Sequence, residues 1–157
     1  MYDKSKMILD EYLKNISLFY TMVAEWANNK SFFFKEVQHN IHEKASGEYT
    51  TKKLLVYKEK NNQIAEICPV GAWIIGANGR IDLIGNFDQQ ILIYFKKNKP
   101  AENSPPISIN QEGSHFFHKG VDQDGWYWIE DKKLGKAHAV NKDLFFDLLA
   151  EVSDDGF

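Results

Sequence analysis

The first part of the chain carries apolar side chains with the period of a helix. From residue 5 to about residue 28 they recur at spacings of three and four, as in Leu9, Leu13, Ile16, Tyr20 and Val23. Asn28 then favours an end, because Asn tolerates the left-handed conformation found where helices stop. The sequence therefore predicts one long amphipathic helix at the N-terminal end.

After residue 31 the period changes to two, or to short apolar runs bounded by turn residues, which is typical of strands. Asn78-Gly79 is a strong hairpin signal and is expected to join two of these strands. Pro100, Pro105 and Pro106 cannot continue a ladder, so we expect a surface loop over about residues 97–111. Strands are expected over residues 32–43, 49–58, 64–68, 72–76, 80–84, 90–96, 114–119, 125–130 and 137–140.

A second helix is expected at the C-terminal end. Asn141 is a suitable N-cap, Asp143 in the first turn suits the helix dipole, and one apolar stripe follows, formed by Leu144, Phe145, Leu148, Leu149 and Val152. The prediction is a single α+β domain over residues 1–157. Its long N-terminal helix and its C-terminal helix pack on one face of a mostly antiparallel, meander-like sheet of about six to eight strands.

Composition narrows the class of protein. Cys68 is the only cysteine, so no disulfide can form within the chain, and the N-terminal residues do not resemble an export signal. No apolar run approaches the roughly 20 residues needed to cross a bilayer. We therefore expect a cytoplasmic protein that does not span a membrane. Residues 121–157 hold four basic and nine acidic side chains, a net charge of −5, which argues against nucleic acid and suits a basic protein partner.

An enzymatic alternative rests on Asp82, Glu66 and Lys96. An acid on one strand followed by an acid and a lysine on the next can hold a metal ion for phosphodiester cleavage. The second acid is missing from the strand that Lys96 ends, so Glu66 would have to replace it. This metal-dependent hydrolase or nuclease requires the three side chains to converge. In the competing interpretation, Asp82 pairs with Arg80 or caps a turn.

Other chemical motifs are incomplete. His39 with His42, and His115 with His118, are three residues apart on expected strands, where such side chains point to opposite faces. No glycine-rich phosphate loop and no complete calcium loop is present, and Cys68 before Pro69 is expected to be a buried, inert thiol. We expect no metal and no cofactor.

The remaining signal is an aromatic strand with acidic residues at its end. Trp and Tyr concentrate at the centres of interfaces, so this segment is the predicted partner-binding site, formed by Trp126, Tyr127, Trp128, Glu130 and Asp131. In the alternative interpretation, these rings only form core and cross-strand packing. The leading hypothesis is a non-enzymatic protein-binding module, in particular a small bacterial immunity-type protein that neutralises a partner such as a toxin. A further alternative is an adaptor or assembly subunit whose loop over residues 97–106 orders on its partner. The sequence leaves the oligomeric state open.

Overall fold

The computed structural model describes residues 4–28, 30–74, 77–97, 121–131 and 136–154. It confirms the predicted α+β architecture, with a helix at each end and seven strands between them. The elements are α1 (Lys4–Trp26), β1 (Phe32–Glu43), β2 (Gly47–Lys58), β3 (Asn62–Gly71), β4 (Arg80–Gly85), β5 (Gln89–Phe95), β6 (Gly125–Asp131), β7 (Lys136–Ala139) and α2 (Lys142–Ser153). The strand expected over residues 114–119 lies outside the described residues.

The sheet is an antiparallel meander in which every strand pairs with its neighbours in sequence, so the order is β1-β2-β3-β4-β5-β6-β7. Among the described strands, β1 and β7 are therefore the two edges of the sheet. Both helices contribute to one core on one face, where Phe19 of α1 and Phe145 of α2 pack together and Phe19 also contacts Trp126 of β6. Within the described ranges, no helix is long and apolar enough to cross a membrane.

A second, smaller core lies on the other face of the sheet. Tyr127 and Phe95 pack there with Ala137, and Ala77 from the connection between β3 and β4 covers them. Side chains alternate between faces along a strand, so Trp126 enters the helix-covered core and Tyr127 the opposite one. Neighbouring aromatic residues of β6 are therefore buried in two different cores, one on each face of the sheet.

The strand expected over residues 72–76 does not form in its described part, residues 72–74. The backbone N–H groups of Ala72 and Trp73 donate instead to the carboxylate of Glu43, at 3.0 and 2.9 Å. β3 extends past Pro69 to Gly71, which pairs with Arg80 of β4. The turn that includes Asn78-Gly79 therefore belongs to a longer connection between β3 and β4, because a side chain from β1 satisfies the donors that a strand would have used.

The C-terminal helix is held at both ends. Asn141 is the N-cap as predicted, since its side chain accepts a hydrogen bond from the Leu144 N–H at 2.8 Å. At the other end, the Val152 carbonyl accepts from the N–H groups of Phe87 and Asp88. A Cβ atom at Gly85 would lie 2.1 Å from that carbonyl oxygen, so only glycine allows α2 to approach β4 so closely.

Candidate functional site

A row of polar side chains crosses the sheet on the face opposite the helices. The register places Cys68 directly opposite Asp82, and Glu66 one pleat further along β3, so these groups share a face. We call this set the polar row; it consists of His39, Lys53, Glu66, Cys68, Arg80, Asp82 and Gln89. It contains two of the three residues of the catalytic interpretation, Glu66 and Asp82.

Asp82 is buried and fully engaged. Its side chain is 8% exposed, and Arg80 donates to both carboxylate oxygens, from Nε at 2.8 Å and from Nη2 at 3.0 Å. Gln89 adds a third hydrogen bond, from Nε2 at 2.8 Å. The hydrogen bonds to Asp82 also raise the pKa of Arg80. These contacts confirm the pairing of Asp82 with Arg80, which the sequence indicated as the alternative to a catalytic role.

The structure does not assemble the metal-dependent site. Lys96 lies on the helix-covered side, where its Nζ is 2.8 Å from Oε1 of Glu11 in α1. Glu66 lies on the opposite face and pairs with Lys53 at 3.5 Å. Among the residues that the structure describes, no three His, Cys, Asp or Glu side chains form a group that could hold a metal ion. Asp82, Glu66 and Lys96 therefore do not converge.

Cys68 and His39 are close but do not form a nucleophile and its base. Their Sγ and Nε2 atoms are 3.6 Å apart, and the same Nε2 lies 3.0 Å from the Pro69 carbonyl oxygen. A carbonyl only accepts hydrogen bonds, so Nε2 carries the proton and cannot take one from the thiol. Burial, followed by the nearby charge of Glu66, raises the pKa of Cys68. The thiol is therefore protonated at neutral pH, which is unfavourable for nucleophilic catalysis.

The predicted partner-binding strand is largely internal. Trp126 and Tyr127 are 5% and 1% exposed, because each fills the core on its own face of the sheet. Trp128 is half-buried and donates its indole N–H to Gln90 Oε1 at 2.8 Å. Glu130 is exposed and pairs with His138, while the side chain of Asp131 lies outside the described part of the structure. Trp126 and Tyr127 cannot contact a partner unless the domain opens.

The exposed face of α2 carries a different acidic feature. Asp143, Asp147 and Glu151 are all exposed and are four residues apart, so they lie one above another on the same side of the helix. Asp154 follows as the C-cap. We call these four residues the acidic stripe. No ion pair found among the described residues involves any of them.

Local electrostatics disfavour the acidic stripe. Like charges four residues apart on a helix repel each other by about 0.2–0.5 kcal/mol per pair. Glu151 also lies in the last turn of α2, where the helix dipole favours a positive charge and where no basic residue is present. Only Asp143, in the first turn, is well placed. Most of the stripe thus costs stability in the free chain.

A cavity of about 350 Å³ adjoins the acidic stripe at Asp147. The rings of Phe32 and Phe146 stack in its wall with centroids 5.4 Å apart, and the Lys30 ammonium lies 5.0 Å from the centroid of Phe146. Ser31, Lys58 and Ala150 complete the lining. An apolar wall beside exposed charges can accept the side chain of a partner.

Comparisons with known proteins do not identify the site: no protein-family model, no curated protein and no solved structure matches the chain. The acidic stripe was nevertheless visible in the sequence, as carboxylates spaced by four residues between the apolar positions of the second helix. From the sequence, the apolar positions and Asp143 were assigned roles in the helix, whereas Asp147 and Glu151 counted only toward the general negative charge of residues 121–157.

Proposed function

We propose that the chain is a non-enzymatic protein-binding module that binds a basic partner protein through the acidic stripe of α2. The proposal rests on one observation: three exposed carboxylates, Asp143, Asp147 and Glu151, lie four residues apart on one side of α2 without any ion-pair partner among the described residues. Like charges at this spacing repel each other. A basic surface docked on α2 would relieve this repulsion, and charge complementarity would also speed association.

The surroundings of the stripe favour a partner protein over a small cation. The cavity with Phe32 and Phe146 in its wall lies directly beside Asp147, so a partner could bury an apolar anchor next to its basic groups. Interfaces gain most of their affinity from such buried anchors, while rim charges set specificity and rate. The acidic stripe and this cavity together form the proposed binding surface.

In its most specific form, the module is a small bacterial immunity-type protein that binds and neutralises a toxin. Two properties of the polar row support a non-enzymatic role. The Asp82 carboxylate is saturated by Arg80 and Gln89, and the Cys68 thiol has a raised pKa beside a ring nitrogen that already donates its proton.

The test is affinity purification of the tagged chain from its native host, with three variants in parallel. Asp147→Lys and Glu151→Lys reverse charges in the stripe, and Glu25→Lys makes the same change on the exposed face of α1. We expect a basic protein to be captured by the wild type and by Glu25→Lys, and to be lost from both stripe variants and in high salt.

Purified partner and chain then allow a direct assay. Stoichiometric binding that inhibits the partner's activity or toxicity would support the immunity-type function. A partner retained equally by the wild type, Asp147→Lys and Glu151→Lys would refute binding through the stripe. Capture of a partner that is not basic would contradict the electrostatic basis of the proposal.

A further inference from the structure

β1 is a long, regular edge strand. Its twelve residues pair with β2 in twelve consecutive positions with no bulge, whereas the opposite edge, β7, has four residues and a register shift in its pairing with β6. Within the described part of the chain, β2 is the only strand that pairs with β1. An edge of this length, without proline or bulge, is a template for another strand.

Both faces of β1 carry exposed side chains, although Ile41 is buried on the side away from the helices. On the side of the helices, alternate residues from Glu36 to His42 are exposed, so the helix layer does not cover this part of β1. On the other side, Lys35 is exposed and Phe33 is 46% exposed. A strand could be added along residues 33–43 without displacing either helix.

The charges along β1 are self-complementary. When two copies of one strand pair antiparallel, residues directly opposite each other lie on the same face of the sheet. Side chains alternate along a strand, so these two residues have either both odd or both even numbers. Their sum is therefore even, and the two-fold axis passes through a residue. With the axis at His39, Lys35 lies opposite Glu43 of the second copy, whose carboxylate also accepts hydrogen bonds from Ala72 and Trp73. Glu36, which is 3.6 Å from Lys52 of its own chain, lies opposite His42 of the second copy. The same register places Val37 opposite Ile41 and Gln38 opposite Asn40.

The neighbouring registers match less well within β1. With the axis at Gln38, Lys35 faces Ile41 and Glu36 faces Asn40. With the axis at Asn40, Val37 faces Glu43, and the one pair of opposite charges, Glu36 with Lys44, uses a residue beyond the end of β1. Opposite charges across a strand pair are favourable, whereas a charge opposite an apolar residue gains nothing. From this pattern we propose that β1 pairs with β1 of a second copy about a two-fold axis at His39, joining two seven-stranded sheets into one.

Sedimentation equilibrium of the purified chain, over a wide range of concentration, tests the proposal. We expect a monomer–dimer equilibrium that His42→Glu weakens by roughly tenfold, because it places Glu opposite Glu36 twice in each dimer. His42→Lys should tighten the dimer, and the exchange Glu36→Lys with His42→Glu should restore it. Glu25→Lys, on α1, should leave the equilibrium unchanged.

Disulfide trapping tests the register. In a Cys68→Ser background, Gln38→Cys and Asn40→Cys chains should crosslink when mixed, and each should crosslink poorly alone, because residue 38 lies opposite residue 40 only in the proposed register. A chain that stays monomeric at the highest soluble concentration would overturn the proposal. So would failure of the charge exchange to restore the dimer while unfolding curves show all variants folded. Neither result bears on partner binding through α2, which uses a different surface.

Discussion

Replacing Glu151 by Gln is expected to stabilise the free chain. Glu151 lies four residues after Asp147 and in the last turn of α2, so its charge is opposed both by a neighbouring carboxylate and by the helix dipole. The repulsion contributes about 0.2–0.5 kcal/mol and the dipole about 0.3–1 kcal/mol, a total gain of about 0.5–1.5 kcal/mol on neutralisation. Gln can still accept the 3.3 Å hydrogen bond from Gln90.

Asp143→Asn is the matched control, because it makes the same chemical change at the other end of the same helix. Here the dipole favours the charge, so its loss costs about 0.3–1 kcal/mol, and relief of the repulsion from Asp147 returns about 0.2–0.5 kcal/mol. We therefore expect Asp143→Asn to be neutral or slightly destabilising. The two variants should differ in sign although each removes one negative charge.

Urea unfolding at low ionic strength, followed by tryptophan fluorescence, measures both effects as shifts of the midpoint at constant m-value. The difference between the variants should shrink in about 1 M salt, where the screening length falls to about 3 Å. If Glu151→Gln destabilises the chain, or if the two variants behave alike, the stripe is not electrostatically strained in the free protein. The observation on which the proposed function rests would then fail.

Three further predictions test the fold and the polar row. Tyr12→Phe removes a hydroxyl that accepts a hydrogen bond from the Gly71 N–H and donates one to the Arg80 carbonyl. The free energy of unfolding, measured with urea, should therefore fall by about 2–4 kcal/mol. A fall of less than about 1 kcal/mol would contradict these two hydrogen bonds. Burial raises the pKa of Tyr12 and of Tyr20 well above the ordinary value, whereas tyrosines in the unfolded chain ionise near pH 10. The free energy of unfolding should therefore fall as pH rises through about 10. A flat profile in urea unfolding at alkaline pH would oppose this prediction. Alkylation of Cys68 by iodoacetamide should be slow at neutral pH and should accelerate as pH rises. The rate should be the same in the His39→Ala variant. A marked slowing in that variant would indicate that His39 activates the thiol.

The elements that local pattern specifies were predictable from sequence. Both helices follow from apolar residues with the helical period, and the cap at Asn141 follows from its side chain. The strand expected over residues 72–76 failed for a non-local reason. Its N–H groups donate to Glu43, about 30 residues earlier in the chain, and no local property of Ala72 or Trp73 reports that contact.

The burial of Trp126 and Tyr127 in β6 was not predictable for a related reason. Alternation along β6 shows that Trp126 and Tyr127 point to opposite faces, but not that both faces are covered. The second face is covered because the connection between β3 and β4 folds over it and brings Ala77 against Tyr127. In contrast, the pair of Arg80 and Asp82 was foreseeable, because residues two apart on one strand share a face.

A dimer formed through β1 would change how the acidic stripe meets its partner. The two-fold axis at His39 is perpendicular to the sheet, so it does not exchange the faces, and the α2 helices of both copies lie on the same side. Two stripes could then engage one basic surface, and the second contact would benefit from a high effective concentration. His42→Glu should therefore weaken binding to a surface with repeated basic sites far more than binding to a single basic peptide. Glu151→Lys should weaken both, because it alters each individual contact, and this difference separates the two surfaces experimentally.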